Sequence, residues 1–134
     1  MNDLDILKVA IEQVQDVLGD EVWVADCLPP ADEFDECLPA VCIDLLPGDE
    51  VMGWGGDAGE PLGEILALDV EVVARSRAQA TPVAHKVRMA LHQLPHIETL
   101  GVRYVECPRF STREDINPQL RVLGAAVDIG ATSH

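Results

Sequence analysis

Aromatic side chains are scarce in this chain: 134 residues hold only Trp23, Phe34, Trp54, Tyr104 and Phe110. A core must therefore be filled by Val, Leu, Ile and Ala. The hydrophobic fraction of 48% is enough for the chain to fold rather than remain an acidic coil. Long apolar runs are also missing. No stretch approaches the ~20 uninterrupted apolar residues of a membrane-spanning helix. MNDLDILKVAIEQ has neither the basic start nor the smooth apolar segment of a signal peptide. The expectation is a soluble protein made in a cytoplasm, with no membrane partner. Cysteine is present without a pattern: Cys27, Cys37, Cys42 and Cys107 form no C-x-x-C pair and lack nearby histidine partners at zinc-site spacing. A disulfide is unexpected in a reducing compartment, and small buried thiols are the expected state.

Positive charge is missing from one half of the chain. Residues 1–74 hold 19 acids against one base, Lys8, for a charge of -18, whereas residues 75–134 hold five acids and eight bases, for +3. The total is -15, with a pI near 4.3. That balance excludes sequence-independent DNA binding, which needs clustered Lys and Arg to neutralise phosphates. Excess acid also aids solubility, so the total alone names no partner. The exception is RSRAQATPVAHKVRMALHQLPH, residues 75–96, with three histidines, four cationic side chains and no acid.

Catalytic and cofactor signatures are absent. The glycines at 53 and 55 fit a G-x-G-x-x-G fingerprint, but Ala58 occupies the third site and no helix pattern follows. Asp49, Asp57 and Glu60 lack EF-hand spacing. His85 and His92 lie about 10 Å apart along a helix, too far to share a metal. Cys107 with His85 is the only Cys–His pair that suggests itself, and neither has surroundings that lower a thiol pKa. No enzyme, cofactor or metal is expected.

What is present is a succession of well-patterned elements. Asp3–Leu18 reads as a helix with Leu4, Leu7, Ile11, Val14 and Leu18 on one face and Gly19 at its end. Glu21–Ala25 reads as a short strand, followed by the Pro- and acid-rich LPPADEFDECLP, and Ala40–Leu46 as a mostly buried strand. PGDEVMGWGGDAGEPLG, residues 47–63, reads as a long glycine-rich arm with Val51, Met52 and Trp54 at its tip; loops of this length are often functional. In Glu64–Ala74, Leu66, Leu68, Val70, Val72 and Ala74 alternate with Ala67, Asp69, Glu71 and Val73, the pattern of a strand with one buried face. The arm then joins the strands at 40–46 and 64–74 as a hairpin.

Pro82 favours a helix that starts with Thr81 as N-cap rather than one capped by Ser76 and Gln79. Its apolar stripe is Val83, Ala84, Val87, Ala90, Leu91 and Leu94, with His85, Lys86, Arg88, His92 and Gln93 opposite. Val102–Cys107 and Leu120–Ile129 read as strands, the second with Leu123, Ala125, Val127 and Ile129 on one face. PRFSTREDINP between them is a polar loop carrying Arg109 and Arg113. The fold class is α+β: one domain over residues 1–134, a largely antiparallel sheet packed with two helices, and a long Gly-rich arm.

The order of a short first helix, the Gly-rich arm, LALDVEVVARSRAQA running into AHKVRMAL, and PRF…DINPQLRVLGAAVDIG as a closing strand resembles the tail terminator proteins of long-tailed bacteriophages, also termed minor tail or neck proteins. The resemblance lies in the succession of elements over nearly the whole chain. It implies an α+β structural virion protein with no catalytic residues, assembled in the host cytoplasm as a hexameric ring on the head-proximal end of the tail tube. Such a ring ends tube polymerisation and offers a surface for head joining. The implied partners are the chain itself, the tail tube protein and a head-side connector or stopper, with DNA passing through the lumen without specific binding. A head-side stopper subunit and a non-viral acidic protein-interaction domain are the alternatives.

A ring of identical subunits needs two different patches that meet, and opposed charge can supply them. On the basic side the candidates are Arg75, Arg77, Lys86 and Arg88, with Arg109 and Arg113 from the polar loop. On the acidic side they come from the 26–36 connection or from Asp49, Asp57 and Glu60 of the arm. Met52 and Trp54 are candidate apolar anchors.

Overall fold

A computed structural model describes residues 3–46, 64–97, 100–113 and 119–131. The first helix, α1, spans Asp3–Leu18 and buries Ile6, Leu7, Ala10 and Val14. It stops at Gly19, whose φ of 89° is the left-handed conformation that costs glycine least. Gln15 closes that turn by donating from its side-chain amide to the carbonyls of Gly19 and Val22, at 2.7 and 2.9 Å.

Among the described residues six strands form one sheet: β1 (Trp23–Ala25), β2 (Ala40–Leu45), β3 (Glu64–Ala74), β4 (Val102–Glu106), β5 (Ser111–Thr112) and β6 (Arg121–Ala131). Their order is β1-β2-β3-β6-β4, with β5 also on β6. Only β1, on β2, pairs in parallel; every other pairing is antiparallel. The expected α+β class and largely antiparallel sheet are therefore observed. The double proline at 29–30 leaves the β1–β2 connection without regular pairing, and it forms only a short 3-10 turn at Phe34–Cys37. Residues 47–63 lie outside the described residues, so the Gly-rich arm does too.

The alternation in β3 and β6 is as expected. Leu66, Leu68, Val70 and Val72 of β3 and Leu123, Ala125, Val127 and Ile129 of β6 are buried, and all but Ala125 join the core cluster shared with the helices. The paired strands β3 and β6 run in register from Glu64↔Ala131 to Ala74↔Arg121 and form the spine of the sheet. One buried cluster joins α1, the inner face of the sheet and the second helix, α2, through residues such as Val14, Ile43, Val70, Val87 and Leu91. Both helices pack on the same side, and the other face of the sheet carries no described helix. None of the described helices is long and apolar enough to cross a membrane.

The start of α2 corrects the expectation built on Pro82. The helix spans Arg77–His92, with Ser76 as N-cap and Pro82 inside it. The Ser76 hydroxyl accepts from the Gln79 amide at 3.1 Å, and the Gln79 side chain accepts from the Arg75 amide at 2.9 Å. Two otherwise unpaired donors are thereby satisfied, while Pro82 removes one, its amide to the Ala78 carbonyl. β5 is a second departure: a pair of residues inside the polar loop pairs with β6, with Ser111 opposite Gly124 and Thr112 opposite Leu123.

Candidate functional site

The acid-free segment becomes α2, and its apolar stripe sets which side chains point outward. Ala80, Ala84, Val87, Ala90 and Leu91 are buried. Helical spacing then places Ala78, Pro82, His85, Met89 and His92 on the opposite side, all exposed, with Lys86 exposed beside them. Met89 stands out, since 54% of this large apolar residue remains accessible at the centre of the outward face.

Four of the proposed interface arginines, Arg75, Arg77, Arg88 and Arg113, are held within the subunit. Arg75 donates to the Asp35 carbonyl at 2.8 Å and lies 3.8 Å from the Asp35 carboxylate, tying the acidic connection to the start of α2. Arg77 donates to Thr112 Oγ1 at 3.3 Å, and Arg88 Nε to the Cys107 carbonyl at 2.8 Å. Lys86 and Arg109 are exposed and meet no partner among the described residues. Asp49, Met52, Trp54, Asp57 and Glu60 lie outside the described residues.

Arg113 crosses the open face of the sheet. Nη2 donates to Asp69 Oδ1 at 2.7 Å, while Nη1 donates to Asp69 Oδ2 and Glu71 Oε2, each at 3.0 Å. The hydrogen bonds to Asp69 hold its proton more tightly than usual, partly opposed by burial. A close approach makes this possible: Arg113 lies over Gly124, where any Cβ would collide with the guanidinium arm. Tyr104 lies over Gly130 in the same way.

Strand register assembles the rest of that face. Outward positions of β6 are Val122, Gly124, Ala126, Asp128 and Gly130, so Arg113 and Tyr104 each cover one glycine and leave Ala126 and Asp128 exposed between them. Ala126 lies opposite Asp69, and Asp69 opposite Asp44 of β2; Asp128 lies between Ala67 of β3 and Glu106 of β4. Two like-charged pairs thus face each other across strands, Asp44–Asp69 and Glu106–Asp128, an arrangement that destabilises a sheet. Arg113 offsets the first. Glu106 and Asp128 are both exposed and have no cationic partner among the described residues.

The result is a trough with a floor of small side chains, a guanidinium at one end, a phenol ring at the other and carboxylates along its rim. At its edge β4 gives way to β5, and an open cleft of about 430 Å³ lined by His92, Glu106, Cys107, Pro108, Ala126 and Asp128 indents the sheet. Glu106, Asp128, Tyr104 and Met89 were not singled out from the sequence. The outward phase of Asp128 was readable from the β6 alternation, but its neighbour Glu106 depends on a register with a bulge between Val102 and Tyr104.

The cysteines meet the expected burial only in part. All are free; Cys107 is buried, Cys37 and Cys42 are half-buried, and Cys27 is exposed. Burial, then the nearby Glu71 and Asp44, pushes the Cys42 thiol up to about 11. Burial also raises Cys107, with Arg88 pulling the other way. Cys107 shares its cleft with His92 rather than His85. Among the described residues no group of three or more His, Cys, Asp or Glu side chains is placed to hold a metal ion.

No protein-family model matches the chain, and no curated protein matches its sequence significantly. A solved structure does resemble it: a chain in the "Virion of native gene transfer agent (GTA) particle", with a TM-score of 0.57, 16% identity and 92% of both chains covered. At that identity the likeness is one of fold, and it extends over nearly the whole of each chain.

Proposed function

We propose that this chain is a structural subunit of a phage-like virion. In this reading it forms a ring, a hexamer by resemblance, at the head-proximal end of the tail tube, where it ends tube polymerisation and provides the surface for head joining. The observation that carries the reading is the fold shared over 92% of both chains with a component of a gene transfer agent virion. It agrees with the family resemblance drawn from the order of elements. The role is architectural rather than catalytic, in a single domain. The partners are further copies of the chain, the tail tube protein and the head-side connector, and the protein is carried in the virion.

Charge supports the same reading. A net charge of -15 suits a ring through which DNA passes without being held, because acidic walls repel phosphates. Arg75, Arg77, Arg88 and Arg113 have donors engaged inside the subunit, which leaves Lys86 and Arg109, of the candidate cations, available to a neighbour.

Deletion of the gene from the particle that encodes it tests the role. The expected outcome is normal heads, tail tubes of uncontrolled length and no joined particles, scored by negative-stain electron microscopy. Headless tails of correct length would overturn the terminator role in favour of a head-side stopper.

A further inference from the structure

We infer that the open face of the sheet is the acceptor for a second copy of this chain, and that the outward face of α2 is the donor. The inference rests on the ring reading above and assigns it a specific contact. Three observations lead to it.

The first is the unbalanced carboxylate pair. Glu106 and Asp128 sit directly opposite each other, both exposed, on a face where the equivalent conflict at Asp44–Asp69 is already relieved by a guanidinium. Arg113 shows within the same subunit what such a pair accepts: a cation laid flat over small residues. A second cation at Asp128 and Glu106 would complete the pattern, and no described residue of the same subunit supplies it. His92 lines the adjoining cleft but makes no ion pair with either acid.

The second is the shape of the trough. Ala126 and Ala67 give it a low floor between the ridges made by Arg113 and Tyr104, and exposed Ile65 lies beside Tyr104, across Gly130. A protruding apolar side chain fits such a floor. α2 offers Met89, an unbranched side chain that adapts to irregular gaps, with Lys86 three residues before it and His85 four. Helical spacing puts all three on neighbouring positions of one outward surface, in a segment without a single acid.

The third is the layering. α2 packs on the inner face of the sheet and turns its outer surface away from it, while the trough is on the far side. Lys86 and Met89 therefore lie on the helical side of the subunit and the trough on the other, with His92 of α2 at the edge between them. Two patches so placed do not meet in a symmetric dimer of the same patch; they meet front to back, the heterologous kind of contact that a ring uses when the rotation between neighbours closes. The chain carries both halves of the charge match, which favours a second copy over an unrelated basic protein.

The test uses the full chain and its self-association, followed by sedimentation velocity at low and high salt, with circular dichroism to check the fold. Lys86→Glu and Asp128→Lys should each weaken association about tenfold, the shift that corresponds to 1.4 kcal/mol. The double variant, with the pair reversed, should recover to within about threefold of the parent. Asp128→Lys has a separate signature: it removes the repulsion with Glu106, so the free subunit should melt at a higher temperature while assembling less well. Rings that form equally well in both single variants, or fail to recover in the double one, overturn this contact and leave the ring reading intact. A parent chain that stays monomeric at every concentration overturns both.

Discussion

Gly124→Ala separates packing over the open sheet face from simple strand propensity. A methyl group at 124 would occupy the space of Arg113 Nε, Cζ and Cδ, so the guanidinium must swing away from Asp69 and Glu71. An exposed ion pair contributes ~0–1 kcal/mol, and removing one partner of a fully buried pair costs about 3–5 kcal/mol. The side chains here are 32%, 29% and 31% accessible, which places the loss between those limits, at about 1–3 kcal/mol. Ala suits a strand better than Gly by roughly 0.5–1 kcal/mol, so the net cost should be about 0.5–2 kcal/mol. With Arg113→Ala already in place nothing remains to be displaced, and Gly124→Ala should then be neutral or stabilising by up to about 1 kcal/mol. The four chains of this cycle, unfolded in urea at low salt and low protein concentration, should show a coupling of about 1–3 kcal/mol with unchanged slopes. An equal cost of Gly124→Ala in both backgrounds would refute the reasoning.

Two further outcomes follow from local chemistry. Ser76→Ala removes the acceptor of the Gln79 amide and should lower stability to urea by about 0.5–2 kcal/mol, whereas Ser76→Asp should retain most of it; equal losses would show that the cap contributes little. With iodoacetamide at pH 8, Cys27 should alkylate first and Cys42 and Cys107 slowly, as read by peptide mass spectrometry. Because the fold favours the protonated Cys42 thiol, its contribution is fully present below the ordinary value of 9.0 and is lost as pH rises to about 11.

Elements whose signal is local were readable from the sequence. The alternation of β3 and the 3–4 spacing of α1 each depend on one buried face, and each appears in the structure within a residue or so. The start of α2 was misplaced because one proline was weighed above a two-sided cap; a helix keeps a proline when the amide it loses is only one of many. β5 escaped because two exposed residues, Ser111 and Thr112, carry no periodicity and form a strand only because Gly124 and Leu123 are there to pair with them. The parallel setting of β1 and the clamp of Arg113 on acids 42 and 44 positions away are long-range facts that no window of sequence contains. Charge asymmetry pointed to the segment that forms α2, whose outward face exposes Lys86 and His85. Of the acids it suggested in the 26–36 connection, Asp35 meets Arg75 within the subunit.

The position of β6 has a consequence for how the chain is made. This strand follows every other described strand in sequence, yet it lies between β3 and the pair β4 and β5. During synthesis β2 and β3 can pair as soon as both emerge, but β3 then presents an open edge, and neither β4 nor β5 has its partner. The nascent protein is thus an incomplete sheet with a vacant middle until Arg121–Ala131 leaves the ribosome. Open strand edges are the usual starting points of aggregation, so this interval is where chaperones and crowding act most strongly on its yield. A chain cut short before residue 121 loses the strand that joins its two halves, and it should accumulate as insoluble fragments rather than as a smaller folded unit.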